Sequence, residues 1–375
     1  FSRDLDLYPG NDAPTTSTPS SVKSHINELW TDAIAALGLY NGERTTIASL
    51  LSFKTTNASD VVPQSIGTSS FERATEHGLP KSAGTPADAL LLGYTFDDYD
   101  LRTAFTWKFL RSADRRQVDA VINGVMESDN KLVTGTILRR LFDPTEGTNE
   151  FGARVFGLYT GNDGVTPPPY LGNQFPSNTN HYLPTQNATI DSQDIEDAMN
   201  LIRVKGYGLD SSSQLLIIAN PVESELIQTW RSGKESRSGG PIAKHDFIPS
   251  VKAPPYLQPE NIVGQPISGD YYGREVLGSY GPAWLLETSF VPAGYVAVVA
   301  SGGPNSERNV VGMRELPNTA YQGLRTIPGN FAGYPLIDAF YQRSFGVGVR
   351  QRGAAVCLQV TAGSTYTAPT ALIPV

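Results

Sequence analysis

Four histidines, two acidic clusters and one glycine-rich basic segment are the places where this sequence can do chemistry. His25, His77, His181 and His245 are scattered, each in polar or loop-like sequence, and they read as surface side chains rather than as converging ligands or bases. Asp97, Asp98 and Asp100 carry the oxygen ligands a hard cation prefers, but they lack the glycine-bearing loop of a calcium site and read as a solvated turn. Asp191, Asp194, Glu196 and Asp197 resemble paired acids for general acid-base work. All four fall in the first turns of a predicted helix, where capping and the helix dipole account for them. The segment SRSGGP, with Lys234, Arg237 and Lys244 nearby, suggests a phosphate cradle, yet no helix N-terminus follows it directly, so a flexible loop is expected.

Motifs that would place a reaction are missing. The sequence has no GxGxxG, no phosphate-binding GxxxxGK, no HExxH and no GxSxG, and its single cysteine, Cys357, rules out a paired-cysteine zinc site. Cys357 lies in RGAAVCLQV, the pattern of a buried strand, and reads as a small core hydrophobe. No catalytic residue, cofactor or metal is expected.

The elements around these residues carry more information. In GYTFDDYDLRTAFTWKFL the apolar residues Leu90, Leu92, Tyr94 and Phe96 hold even positions, whereas Tyr99, Leu101, Phe105, Trp107 and Phe109 hold odd ones. A strand has period two, so the phase change at Asp97-Asp98 predicts a hairpin or a sharply bent strand there. A very long helix follows over residues 112 to 142. Asp114 and Gln117 offer a capping box, Val118, Ile122, Val125, Leu132 and Leu138 form an apolar stripe interrupted from Glu127 to Lys131, and Arg139 and Arg140 suit the last turn before Asp143-Pro144. Gly124 and Gly135 each cost about 1 kcal/mol inside a helix and predict close packing against another backbone.

A chain of 375 residues suffices for two or three regions with real cores. Its net charge of -8 and isoelectric point near 5.1 exclude a protein whose main task is gripping phosphate. No window is apolar enough to span a bilayer and the start, FSRDLDLYPG, lacks a signal-peptide core, so a soluble, unsecreted chain with no membrane partner is expected.

Residues 1 to 20 read as an extended arm. A short helix follows, with Ser21 as cap, an apolar face of Val22, Ile26, Leu29, Trp30, Ala33 and Leu37, and Gly38 as terminator. After the long helix, residues 143 to 181 are loop-rich, and a domain boundary is expected near Asn180. An α/β layer comes next: a helix capped by Asp191 and stopped by Gly206, the buried strand QLLIIAN, and a helix starting at Pro221. EVLGSY, AWLLET and GYVAVVAS supply further strands, and RGAAVCLQV is expected to return to the helix-bearing region.

This order of parts, with GYTFDDYDLRTAFTWKFL and its helix, VVASGGPNSERNVVGMRELPN and GNFAGYPLIDAFYQRSFGVGVRQRGAAVCLQV, resembles the major capsid proteins of tailed bacteriophages, most closely those of actinobacterial phages. Encapsulin shells share that fold. The resemblance covers much of residues 64 to 375. It implies an α+β chain with an N-terminal arm (1–63), an extended loop (64–108), a peripheral domain with a spine helix (109–179), an axial domain (180–328) and a peripheral return (329–375). It further implies a non-enzymatic protein that builds pentamers and hexamers of an icosahedral virion shell around double-stranded DNA, assembled in the host cytoplasm. Its partners would be itself, neighbouring capsomers, weakly held DNA, and scaffold, portal and decoration proteins. Expected contacts between copies are Arg73, Lys81, Trp107, Arg139, Arg140, Trp230 and Arg237. Some family members cross-link a loop lysine to a neighbour's asparagine, and Lys81 is the one lysine in the loop tip, but no motif here identifies the asparagine. A bacterial compartment shell of the same fold is the alternative, and an α/β hydrolase a remoter one that lacks its nucleophile elbow.

Overall fold

Along the first half of the strand Leu336–Val349 burial alternates, with Ala339, Tyr341 and Arg343 inside and Phe340 exposed, and from Arg343 to Val349 every residue is buried. That period-two pattern makes it the organising strand of one sheet. The computed structural model describes residues 31–32, 34–41, 46–63, 73, 78, 89–106, 115–170, 172–176, 178–252, 265–328 and 336–370. The chain divides into two units: residues 1–44, 96–133 and 315–346 form the first, and 45–95, 134–314 and 347–375 the second.

In the first unit, Leu336–Val349 pairs antiparallel with Leu324–Pro328 and with Asp97–Thr106, the latter in a register from Asp97 opposite Phe345 to Thr106 opposite Leu336. The inner face of this sheet meets the long helix, Arg115–Phe142, through Leu37, Val125, Leu324, Ala339 and Tyr341, with Tyr40 and Met126 packed beside them. Residues 34 to 41 are helical, so the first helix runs through Gly38 instead of ending there. At 28 residues the long helix extends roughly 40 Å. Its start at Asp114 lies outside the described residues. Gly124 is exposed with no described atom near the place a Cβ would take, so the close backbone approach expected at this glycine is not found there.

The second unit is built on a seven-stranded sheet in the order Tyr182–Pro184, Ala355–Gln359, Tyr295–Ser301, Gln214–Ala219, Ala283–Glu287, Gly278–Tyr280, Phe247–Pro249. Leu215, Leu216, Ile217 and Ile218 of its middle strand are all buried. Burial on both faces calls for a continuous apolar run, and each such side chain stabilises the fold by about 2 kcal/mol. Helix Ser192–Val204 starts at a capping box in which Asp191 and Asp194 exchange side-chain and backbone hydrogen bonds, and Pro221–Gln228 starts behind the Asn220 cap. Gly206 leaves the first of these helices with φ 90°, the left-handed conformation glycine favours. The C-terminal strand Ala355–Gln359 lies in this sheet between Tyr182–Pro184 and Tyr295–Ser301, and its buried Cys357 donates to the Leu141 carbonyl in the last turn of the long helix at 3.4 Å.

The phase change near Asp97 is a break and not a hairpin. Ala89–Gly93 pairs with Ser59–Pro63, whereas Asp97–Thr106 pairs with Leu336–Val349. Tyr94 explains the break on the Ala89–Gly93 side. Its ring is 1% exposed and fills space that only glycine leaves at Gly312 and Gly348, while its hydroxyl donates to Asp60 at 2.6 Å.

Candidate assembly surfaces

The strand Asp97–Thr106 has one strand partner among the described residues, Leu336–Val349, and most of its side chains are exposed. On the outer face the cross-strand pair Phe340 and Ile327 are 39% and 41% exposed, and Arg102 lies opposite Phe340; Leu101, opposite the buried Tyr341, belongs to the inner face. Arg102 meets Asp338 at 2.8 Å on the same outer face. An edge strand with an uncovered, mixed apolar and charged face has the features that pairing with another chain requires. Its charges make the edge selective, since bare edges template pairing indiscriminately.

Behind that face lies a group the sequence did not single out. Arg343, 1% exposed, reaches Asp129 of the long helix at 3.4 Å and Glu315 at 3.3 Å, and Tyr40 donates to Asp129 at 3.1 Å. Asp129 falls inside the polar interruption of the helix, but it stands four residues from both Val125 and Val133. That spacing puts it on the buried stripe and is the signal that could have found it. Glu127 and Lys131, by contrast, pair at the surface at 2.8 Å.

The expected contact residues separate sharply. Trp230 is 2% exposed and packs edge-on against Tyr280 at 5.2 Å, so it is a core residue and not a contact between copies. Arg140 donates to the carbonyls of Asp143 at 2.6 Å and Thr145 at 2.7 Å, which engages the end of its own helix. Tyr182 and Tyr366 donate to the last carbonyls, of Leu141 and Phe142. Arg139 and Arg73 are exposed, and Lys81 and Trp107 lie outside the described residues.

Arg237 binds Asp191 at 3.1 Å, and with it the SRSGGP segment is a fixed hairpin rather than a flexible loop. Ser236 accepts from the Ser192 backbone, Lys244 pairs with Glu196 at 2.9 Å, and Glu235 bridges to Ile242. The helix N-terminus that an anion would need is thereby occupied by the chain's own hydroxyl. Burial, reinforced by the charge of Asp191, pushes the Asp194 carboxyl up to about 7.

The histidine expectation fails at His181, which is fully buried and donates from Nδ1 to the Ala355 carbonyl at 2.7 Å. Burial depresses its pKa to about 4, because the cation has no water to solvate it. His245 is exposed. Among the described residues no group of three or more His, Cys, Asp or Glu side chains is placed to hold a metal ion, and no helix is long and apolar enough to cross a membrane.

No protein-family model and no curated protein matches the chain. A solved structure from Mycobacterium phage Patience does: it is 38% identical, the match covers 92% of this chain and 91% of that one, and the TM-score is 0.70. The chain belongs to the tailed-phage major capsid proteins. Weaker likenesses reach the mature capsid of bacteriophage PhiM1, at 10% identity over 85% of this chain and 88% of that one with a TM-score of 0.49. They also reach the SrpI encapsulin complex of Synechococcus elongatus, at 14% identity over 90% and 98% with a TM-score of 0.44. The capsid protein's role is structural: copies associate into capsomers of an icosahedral shell, and its location is the virion capsid. The mixed helix-and-sheet class expected from the sequence agrees with the phage capsid fold, while the N-terminal arm of residues 1 to 20 lies outside the described residues.

Proposed function

We propose that copies of this capsid protein meet head to tail in rings of five and six, with the loop of residues 64 to 108 from one copy laid over its neighbour. Heterologous contacts of that kind close into rings when the rotation between copies closes. The observation that carries the reading is the uncovered outer face of Asp97–Thr106, in contrast to the seven-stranded sheet of the other unit, whose apolar strands are already buried. One region is finished by its own chain and the other offers a surface.

The peripheral role falls to the long helix and the axial role to residues 180 to 328. Packaged double-stranded DNA is held weakly and without sequence preference, a reading supported by the net charge of -8: a shell that releases few counterions does not grip its cargo. Scaffold, portal and decoration proteins complete the partners, and assembly takes place in the host cytoplasm. Arg73, Lys81, Trp107 and Arg139 are the proposed contacts that remain once Trp230, Arg140 and Arg237 are given their places within the subunit.

Electron microscopy of the expressed protein tests the reading. Closed particles or rings of five and six are expected, and isolated monomers at high concentration would overturn it. Denaturing gel electrophoresis of the particles tests Lys81 separately, since a single band of monomer mass excludes a covalent link.

A further inference from the structure

The ribbon made by Ser59–Pro63 and Ala89–Gly93 has two faces of opposite fate. Successive side chains on a strand alternate, so Leu92 points to one face and Leu91 and Gly93 to the other. Leu92 is 4% exposed. On the second face the chain covers only one end. A Cβ at Gly93 would lie 2.9 Å from the Ala153 carbonyl, and Asn149 donates from its side chain to Ala58 at 3.0 Å. The turn of residues 149 to 153 is therefore seated on the Gly93 end of that face.

Beyond that end the cover stops. Val61 and Leu91, directly opposite each other across the ribbon, are 66% and 47% exposed, and Phe151 on the covering turn is 72% exposed. All three belong to the second unit. Two adjacent strands alone are marginal in water, and large apolar side chains gathered on one are a surface to be covered.

The charges around this surface are matched within the chain. Arg314 pairs with Glu150 at 2.6 Å, Arg154 with Glu146 at 2.7 Å, and Asp60 takes Arg350 at 3.5 Å as well as the Tyr94 hydroxyl. An electrostatically satisfied rim favours an uncharged, apolar occupant over nucleic acid or an acidic peptide. Area narrows the choice further. Three side chains of this size offer roughly 300 Å², about half of the ~600 Å² that each partner buries at the low end of specific complexes. Such a patch does not capture a free partner. It fits an occupant already held nearby by other contacts, which in a shell of identical subunits is the next subunit.

We infer that Val61, Leu91 and Phe151 form an apolar joint that is covered by a second copy of this chain in the assembled shell. The inference rests on the shell reading and adds to it a specific site at the root of the extended loop. Because the joint is small, it strengthens a contact made elsewhere and does not create a dimer in solution.

Site-specific photo-cross-linking tests it. With benzoylphenylalanine in place of Leu91, and separately in place of Phe151, irradiation of assembled particles is expected to give covalent dimers whose linked peptides come from two copies. Dissociated subunits should give none. A companion variant, Val61→Asp, is expected to lower particle yield at least tenfold while the melting temperature of the unassembled subunit stays unchanged. Particles that form normally from Val61→Asp, or particles that yield no inter-copy link from either position, overturn the joint while leaving the shell intact. An unsubstituted chain that never forms particles overturns the shell reading and the joint with it.

Discussion

The seven-stranded sheet and the sheet that holds Asp97–Thr106 differ in composition and are finished differently. In the first, Gln214–Ala219 and Tyr295–Ser301 lie against strands on both sides and are buried almost throughout. In the second, Asp97–Thr106 has cover on one face and one strand partner among the described residues. On the proposed assembly, stability and association fall to different parts of the same chain: a substitution in the first region is expected to be felt by the subunit, and one on the outer face of the second by the shell.

Trp230→Ala tests that division most severely. Deleting a side chain this large from a core costs about 3–5 kcal/mol, and chemical denaturation of the subunit should show a loss of that order. Had Trp230 been a contact between copies, only assembly would suffer. Arg343→Met probes the inner side of the arm sheet. It leaves Asp129 and Glu315, 5% and 2% exposed, without their shared cation, and breaking a buried pair costs about 3–5 kcal/mol. A loss below ~1 kcal/mol would place the two carboxylates in water.

His181 makes the core region sensitive to acid. Its pKa is about 4 in the folded chain against an ordinary 6.5, so between these values the unfolded chain binds a proton that the folded one does not. Its contribution is fully present above pH 6.5 and is lost as pH falls toward 4, by up to roughly 3 kcal/mol. His181→Asn keeps a donor near the Ala355 carbonyl and should flatten this part of the pH profile; an unchanged slope assigns the effect elsewhere. The smallest effect belongs to the outer face. Arg102→Ala removes an ion pair whose arginine side chain is 51% exposed, and the melting of the subunit should change by no more than ~0.5 kcal/mol.

What was legible in the sequence follows the distance over which each element is decided. The helix capped by Asp191, the strand QLLIIAN and the helix behind Asn220 are local events, and all three are found where their patterns put them. Of the two forms expected at Asp97-Asp98, a hairpin or a sharply bent strand, the hairpin failed because the two strands choose partners elsewhere, Ser59–Pro63 for one and Leu336–Val349 for the other, while the break itself is found where the phase change put it. Arg343 lies 214 residues from Asp129, and nothing local marks either as buried except the i,i+4 position of Asp129 on its stripe. SRSGGP looked flexible because its anchor, Asp191, lies 46 residues before Arg237. Of the expected contact residues, Trp230 was misplaced since an indole serves a core and an interface equally well.

The pairing of Asp97–Thr106 with Leu336–Phe345 also sets a clock. Some 240 residues separate the two strands, and a ribosome adding about 5–20 residues per second delivers the second strand many seconds after the first. Until then the edge that makes the arm sheet does not exist. The strand Ala355–Gln359, which completes the larger sheet from within, arrives later still. Nascent copies on neighbouring ribosomes therefore lack the sheet that Asp97–Thr106 completes, and the order of translation itself delays that surface until each subunit is nearly whole.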